Sequence, residues 1–350
     1  MDPLKIDTVK LSDAGDALVI IDQTLLPNEV RYLSLTATED IWEAIRALRV
    51  RGAPAIGVAA AFGAYLAAYY APDAELEGRF LAACDYLATS RPTAVNLFWA
   101  LDRMRAAYGR VKALPPADIR AALRAEAQAV MDEDIEISRS IGRYGLSLLR
   151  PGMGILTHCN AGTLATAKYG TALSPVYAAI ERGLPGLRVY CDETRPLLQG
   201  ARLSAFEMVS AGVDTTLLCD NMASSLMKSG KVDIIFVGCD RVARNGDAAN
   251  KIGTSGVAIL AAHYGIPFYV CAPSSTIDGA IASGADIPIE FRPPEEVTEL
   301  WYEKRMAPEG VGVYNPAFDV TDAGLITGII TERGLVRAPY EEGFRALGLV

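Results

Sequence analysis

The chain has 350 residues, 51% hydrophobic and 21% charged. This is a globular composition, and a prior of about 150 residues per domain predicts two domains. Its 33 Lys and Arg against 42 Asp and Glu leave a net charge of -9, which argues against nucleic acid or an anionic membrane as partners and requires local donors for any anionic substrate.

The polar start MDPLKIDTVKLSD lacks the apolar core of a signal peptide, and no stretch reaches the roughly 18 uninterrupted apolar residues of a membrane span. Six cysteines are scattered without a disulfide spacing, so a reduced, cytoplasmic protein is expected. Residues 5 to 37 carry β-branched residues in short runs around Asp13-Ala14-Gly15-Asp16 and Leu26-Pro27-Asn28, which predicts a small antiparallel meander. Helical spacing then covers Ile41 to Val50, Pro54 to Tyr70, Leu76 to Leu87, Ala94 to Tyr108 and Pro116 to Leu149, with Pro54 and Pro116 placed like first-turn prolines. The single proline, glycines and alanines of the most apolar run, Gly52 to Tyr70, suit a buried helix. From Met153 the pattern changes to ILTH, LRVYCD, TTLLC, DIIFVG and PFYVCA, each followed by a helical stretch, as in a parallel sheet covered on both faces.

The segment GMGILTHCNAGTLATAKYGT, Gly152 to Thr171, leaves Cys159 where a strand is expected to run straight into a helix. A thiol at a helix N-terminus has a depressed pKa and can exchange protons near neutrality, whereas a thiol inside the sheet would be structural. A second strand ends in Asp240, a residue that partial burial would fit for general acid or base work and that a helix start or the nearby Arg241 and Arg244 would instead make a cap or ion-pair partner. The segment NGDAANKIGTSG, 245 to 256, reads as an anion cradle in which Lys251 supplies charge ahead of a helix beginning near Thr254. Arg51, just before another helix start, can add a second contact to the same anion. No G-x-G-x-x-G follows the first strand, although Asp192 stands where a ribose-binding acid would, so a nicotinamide cofactor is rejected. Two histidines and no C-x-x-C pair argue against a zinc-type site and leave room for an Asp/Glu magnesium site.

Several of these segments belong to longer motifs: RGAPAIG at 51 to 57, SRPTAVNL at 90 to 97, THCNAGTLAT at 157 to 166, ETRPLLQGARL at 193 to 203, GCDRVARNGDAANKIGT at 238 to 254, IPFYV at 266 to 270 and YNPAFDVT at 314 to 321. In that order, over almost the whole length, the chain resembles the S-methyl-5-thioribose-1-phosphate isomerases of methionine salvage. Their superfamily includes ribose-1,5-bisphosphate isomerases and the α, β and δ subunits of the translation initiation factor exchange complex. The resemblance implies an α/β protein with a helical N-terminal domain and small β-meander over 1–125, then a Rossmann-like catalytic domain over 126–350. A linking helix of about 116–149 would join them, and the protein would be a homodimer built through the sheet domain. It implies Cys159 and Asp240 as the catalytic pair, and Arg51, Gly52, Ala53, Arg91, Gln199, Asn250 and Lys251 as substrate-binding residues.

The implied reaction takes an aldose 1-phosphate to a ketose 1-phosphate without a cofactor. The ring must open with an acid at the ring oxygen, and hydrogen then moves between C1 and C2 as a proton or as a hydride, either route being served by a water-poor pocket. One departure bears on the substrate. Glu290 is followed by Phe291-Arg292 where the isomerases commonly carry Glu-Arg, and LWYEKRMAPEG follows at 300 to 310. Isomerases of 5-deoxyribose 1-phosphate or ribose 1,5-bisphosphate therefore stand beside the methylthioribose reading, and a sugar-phosphate-binding regulatory subunit without turnover stands further off.

Overall fold

The computed structural model describes residues 6–92 and 94–350. Residues 1–5, where the polar start begins, and Thr93, within SRPTAVNL, lie outside the described residues. The described chain forms two compact units, one of residues 6–138 with 162–170, the other of residues 139–161 with 171–350.

The first unit begins with an antiparallel sheet of β1 (Val9–Leu11), β2 (Leu18–Ile21) and β3 (Tyr32–Leu35), the expected meander. Helices α1 (Thr38–Arg46), α2 (Ala53–Tyr70), α3 (Leu76–Ala88), α4 (Val95–Val111) and α5 (Pro116–Leu146) follow. α1 starts three residues earlier than expected because Glu39 and Asp40 favour the positive end of a helix, and it closes on Arg46. α2 is the one described helix long and apolar enough to cross a membrane, and 72% of it is buried. Its alanines and glycines let α3 and α4 pack closely around Ile56, Phe62 and Leu66, with Ile41, Phe80 and Leu101 completing the core. The division into units cuts α5 at 138/139, within the helix where 125/126 was expected to divide the chain.

The segment 162–170 folds with this unit. Its Thr163 carbonyl accepts from the Thr8 hydroxyl at 2.7 Å, and its Leu164 carbonyl from the Gln23 amide at 2.8 Å. Gly52 is required beneath it. With φ at 89°, a Cβ there would lie 2.3 Å from the Ala165 carbonyl oxygen.

The second unit carries β4 (Gly154–Thr157), β5 (Arg188–Asp192), β6 (Asp214–Leu218), β7 (Ile234–Val237), β8 (Arg241–Ala243), β9 (Ala248–Lys251), β10 (Phe268–Cys271), β11 (Ile277–Asp278), β12 (Phe318–Thr321), β13 (Gly328–Thr331) and β14 (Gly334–Val336). Its helices are α6 (Ser174–Glu181), α7 (Ala205–Ser210), α8 (Ala223–Lys228), α9 (Thr254–Tyr264), α10 (Glu295–Thr298) and α11 (Tyr340–Ala346). The main sheet has seven strands in the order β14-β13-β10-β7-β4-β5-β6, parallel except for β14. Its five expected strands are β4, β5, β6, β7 and β10. Taken along the chain, the six parallel strands follow the 3-2-1-4-5-6 order of a Rossmann sheet.

One expectation is corrected here. The segment 245–256 is not a Gly-rich loop but largely a hairpin, in which β8 turns through Asn245-Gly246 into β9. β9 is buried along its length and belongs to a separate four-stranded sheet, β11-β8-β9-β12. Asn-Gly is the strongest short hairpin signal a sequence offers, and here it outweighs the glycine content.

Candidate active site

Strand β4 lies between β5 and β7, with Ile155 opposite Ile234 and Leu156 opposite Ile235. Along the chain the sheet grows from β4 toward β6 on one side and, from β7, toward β13 on the other, so the β4/β7 boundary is its topological switch point. Ligands of open α/β sheets bind beyond the carboxyl ends of strands at such a point. Cys159 follows the end of β4 by two residues and Asp240 follows the end of β7 by three.

Neither residue stands there for the reason the sequence suggested. β4 does not run into an α-helix, since α6 begins only at Ser174, so the expected helix start at Cys159 is absent from its own segment. Cys159 lies in a loop, 8% exposed, with a left-handed φ of 67°. Its N–H donates to Thr194 Oγ1 at 2.8 Å and its carbonyl accepts from Ser204 Oγ at 2.7 Å. Asp240 is exposed rather than partly buried, because Gly238 to Asp240 carry the chain beyond the sheet. No helix starts at Asp240, since β8 follows it directly. Arg241 pairs with Asp278 at 3.2 Å and Arg244 with Glu341 at 3.7 Å.

Next to Cys159 in the chain, a buried polar cluster draws on the ends of β4 and β5 and on α6 and α7. Asn160 donates to Glu207 Oε1 at 2.9 Å, and the Tyr177 hydroxyl donates to Glu207 Oε2 at 2.9 Å. His158, 1% exposed, places Nδ1 3.1 Å from Asp192 Oδ2 and Nε2 2.8 Å from the Ile252 carbonyl. A carbonyl only accepts, so Nε2 carries its proton and a second proton lies between Nδ1 and Asp192. Burial works against protonating His158, but the hydrogen bond and charge of Asp192 outweigh it and raise its pKa. Burial in turn pushes the Asp192 carboxyl up against the attraction of His158, and the pair titrates as a unit.

His158, Asp192 and Asp220 bring donor atoms within 4.8 Å of one another, a set of residue types that can hold an ion. Asp220, however, gives Oδ1 to the Thr194 N–H and Oδ2 to the Arg195 N–H, each at 2.7 Å, and both His158 nitrogens are engaged. The cluster ties loops together.

Asn250 and Lys251 are buried in β9, opposite Asp319 and Phe318 of β12. Asn250 donates to Thr254 Oγ1 at 3.0 Å, and Lys251 Nζ lies 4.3 Å from the Phe318 ring centroid. The expected phosphate seat at the start of α9 is taken. Asp319 accepts the Gly253 N–H at 2.8 Å, the Ser255 N–H at 3.2 Å and the Ser255 hydroxyl at 2.8 Å, so an anion arriving there would meet a carboxylate.

Gln199 is 5% exposed and its Oε1 lacks a hydrogen-bond partner, an acceptor that a substrate hydroxyl could satisfy. The π-helical turn Gly200–Ser204 continues from it, and a Cβ on Gly200 would lie 1.6 Å from the Asp192 carbonyl oxygen. Cys159, Gln199, Asp240, Asn250 and Lys251 all belong to the second unit. Arg51, Gly52, Ala53 and Arg91 belong to the first, with both arginines half-buried and Ala53 opening α2.

Residues 49–338 match the initiation factor 2 subunit family. The chain belongs to that family. A methylthioribose-1-phosphate isomerase of Symbiobacterium thermophilum is 66% identical over 348 residues, covering 99% of this chain and 97% of the relative. A 5-deoxyribose 1-phosphate isomerase of Petrotoga mobilis is 57% identical over 342 residues, covering 97% and 98%. The crystal structure of a 5-methylthioribose 1-phosphate isomerase from Pyrococcus horikoshii OT3 is similar with a TM-score of 0.94 at 44% identity, covering 99% of this chain and 97% of that one.

In this member of the initiation factor 2 subunit family, sequence reasoning missed Thr194, Ser204, Asp220 and Asp319. Each acts through a partner 25 or more residues away, so no local spacing could reveal it. The available signal was the presence of Thr194 in the motif ETRPLLQGARL and of Asp319 in YNPAFDVT, with Ser204 just past the first; Asp220 lies in neither.

Proposed function

We propose that this protein is an aldose-ketose isomerase that converts 5-methylthioribose 1-phosphate into 5-methylthioribulose 1-phosphate in methionine salvage. The observation that carries the reading is 66% identity, over 99% of the chain, to a protein named for that activity. The switch-point placement of Cys159 and Asp240 supports the chemistry. In this reading Asp240 gives a proton to the ring oxygen as the C1–O bond breaks and takes one from the C2 hydroxyl, while Cys159 assists the transfer of hydrogen from C2 to C1. C1 is reduced and C2 oxidised within one molecule, so the balance calls on no external hydride carrier.

Arg51, Gly52, Ala53, Arg91, Gln199, Asn250 and Lys251 are the substrate-binding set, with Lys251 as the principal phosphate contact. The division into residues 1–125 and a catalytic 126–350 is retained as a functional one. The protein is placed in the cytoplasm, in keeping with six free cysteines. It is read as a homodimer, in keeping with two exposed apolar side chains on and just after the edge strand β6, Leu217 at 50% and Met222 at 51%.

A 5-deoxyribose 1-phosphate substrate is the second reading, favoured by the Petrotoga relative at 57% identity. A 5-phosphate fits less well. The cations that could receive it, Lys304 and Arg305, are exposed, and Arg305 already pairs with Glu299. A regulatory subunit without turnover would have no need of both Cys159 and Asp240.

The test is turnover of methylthioribose 1-phosphate by the parent protein and by Cys159→Ser and Asp240→Asn. General acid and base groups contribute about 10² to 10⁴ in rate, so each variant should lose at least about a hundredfold in kcat while still folding and binding substrate. Near-parental kcat in either would remove that residue from the mechanism.

A further inference from the structure

Cys159 has a left-handed backbone, φ 67°, which non-glycine residues adopt seldom. Both of its backbone polar groups are taken by buried hydroxyls from elsewhere in the chain. Thr194 Oγ1 donates its own proton to the Asp192 carbonyl at 3.1 Å, which turns a lone pair toward the Cys159 N–H at 2.8 Å. Ser204 Oγ donates to the Cys159 carbonyl at 2.7 Å and accepts from Asn160 Nδ2 at 3.2 Å. A hydroxyl has one proton to give, so neither can rotate without losing a bond.

Thr194 is itself strained, with φ at 65° on a β-branched residue. Asp220 holds it there by accepting the backbone N–H groups of Thr194 and Arg195. The chain of support runs from the end of β6 through the loop after β5 to the loop after β4. Strained backbone persists where surrounding bonds over-determine it, and that is the arrangement here.

Resting on the reading of Cys159 as a reacting group, we propose that Thr194 is the positioning residue for the Cys159 thiol, with Ser204 holding the opposite side of the same peptide segment. Thr194 touches no reacting atom. It acts by fixing the backbone from which the thiol projects, and a displacement of about 1 Å at a reacting group can cost on the order of a hundredfold in rate.

Thr194→Val keeps the shape of the side chain and removes the acceptor. It should lower kcat by about 10- to 100-fold, leave KM within about threefold, and change the rate at which iodoacetamide labels Cys159, read by peptide mass spectrometry. Thr194→Ser, which retains the hydroxyl, should restore both readouts. If Thr194→Val does not fold, Ser204→Ala releases the other side of the segment and should show the same split. Parental kcat and labelling in Thr194→Val, or an equal loss in Thr194→Ser, would overturn the proposal. Cys159→Ser separates it from the reading beneath it: full activity in that variant defeats both, whereas an inactive Cys159→Ser beside a fully active Thr194→Val defeats the positioning role alone.

Discussion

Lys251 is 8% exposed, with its ammonium over the face of Phe318. Burying a cation costs hydration that a charge-assisted bond to an anion recovers. In the proposed reading, with Asp319 at the start of α9, the 1-phosphate would fall to Lys251 rather than to a helix terminus. Such bonds are worth about 1.5 to 3 kcal/mol, so Lys251→Met should weaken substrate binding roughly tenfold to a hundredfold by titration calorimetry on the Asp240→Asn background. An unchanged dissociation constant would move the phosphate elsewhere. Lys251, Cys159, Asp240 and Arg51 could be picked from residue type and position. Gln199 and Arg91 came only through the resemblance, because an uncharged amide and an isolated arginine look like any others until the fold buries one and shapes the other's surroundings. The local reasons for choosing Cys159 and Asp240 do not hold in the fold, since they rested on a helix start and a burial that depend on where the chain goes next.

Among the elements, the helices of the first unit and the central strands of the second were legible because their apolar periodicities are long or continuous. β13 and β14 were not, their apolar runs being only two residues each, Ile329-Ile330 and Leu335-Val336. The second sheet was hidden because, beyond the β8–β9 hairpin, β9 pairs with β12 and β8 with β11 across long stretches of chain. The return of 162–170 to the first unit is another non-local event, and it depends on α5. Asp134 of α5 accepts the Ala167 N–H at 2.6 Å, and burial pushes its carboxyl up to about 7, against that single bond. The unfolded carboxyl titrates near 3.8. Between these values the folded state holds a proton that the unfolded chain has released, so stability falls as pH rises from about 4 to 7. Asp134→Asn keeps the acceptor without the charge. It should raise stability at pH 8 by about 1 to 2 kcal/mol and have little effect near pH 4, as followed by thermal unfolding at both pH values. An equal effect at the two would show that the carboxyl is not titrating in this window.

For the whole molecule, the strand order puts one switch point in the main sheet, and the two groups read as catalytic follow the strands on either side of it. A net charge of -9 makes recognition of a sugar phosphate depend on a few placed cations rather than on a general field. In the proposed reading the exposed Lys304 and Arg305 would offer no enclosed partner for a 5-phosphate, whereas a methylthio group or a bare methyl asks only for apolar surface. A few heavy atoms in such a pocket change discrimination by about 1 to 3 kcal/mol, while desolvating a dianion without dedicated partners costs several. The direct measurement is kcat/KM for 5-methylthioribose 1-phosphate, 5-deoxyribose 1-phosphate and ribose 1,5-bisphosphate on one enzyme preparation. The first two should both turn over, within about two hundredfold of each other, and the bisphosphate should lag the better of them by about a thousandfold. A preference for the bisphosphate would contradict the methionine-salvage assignment, and no turnover of any of the three would contradict the isomerase itself.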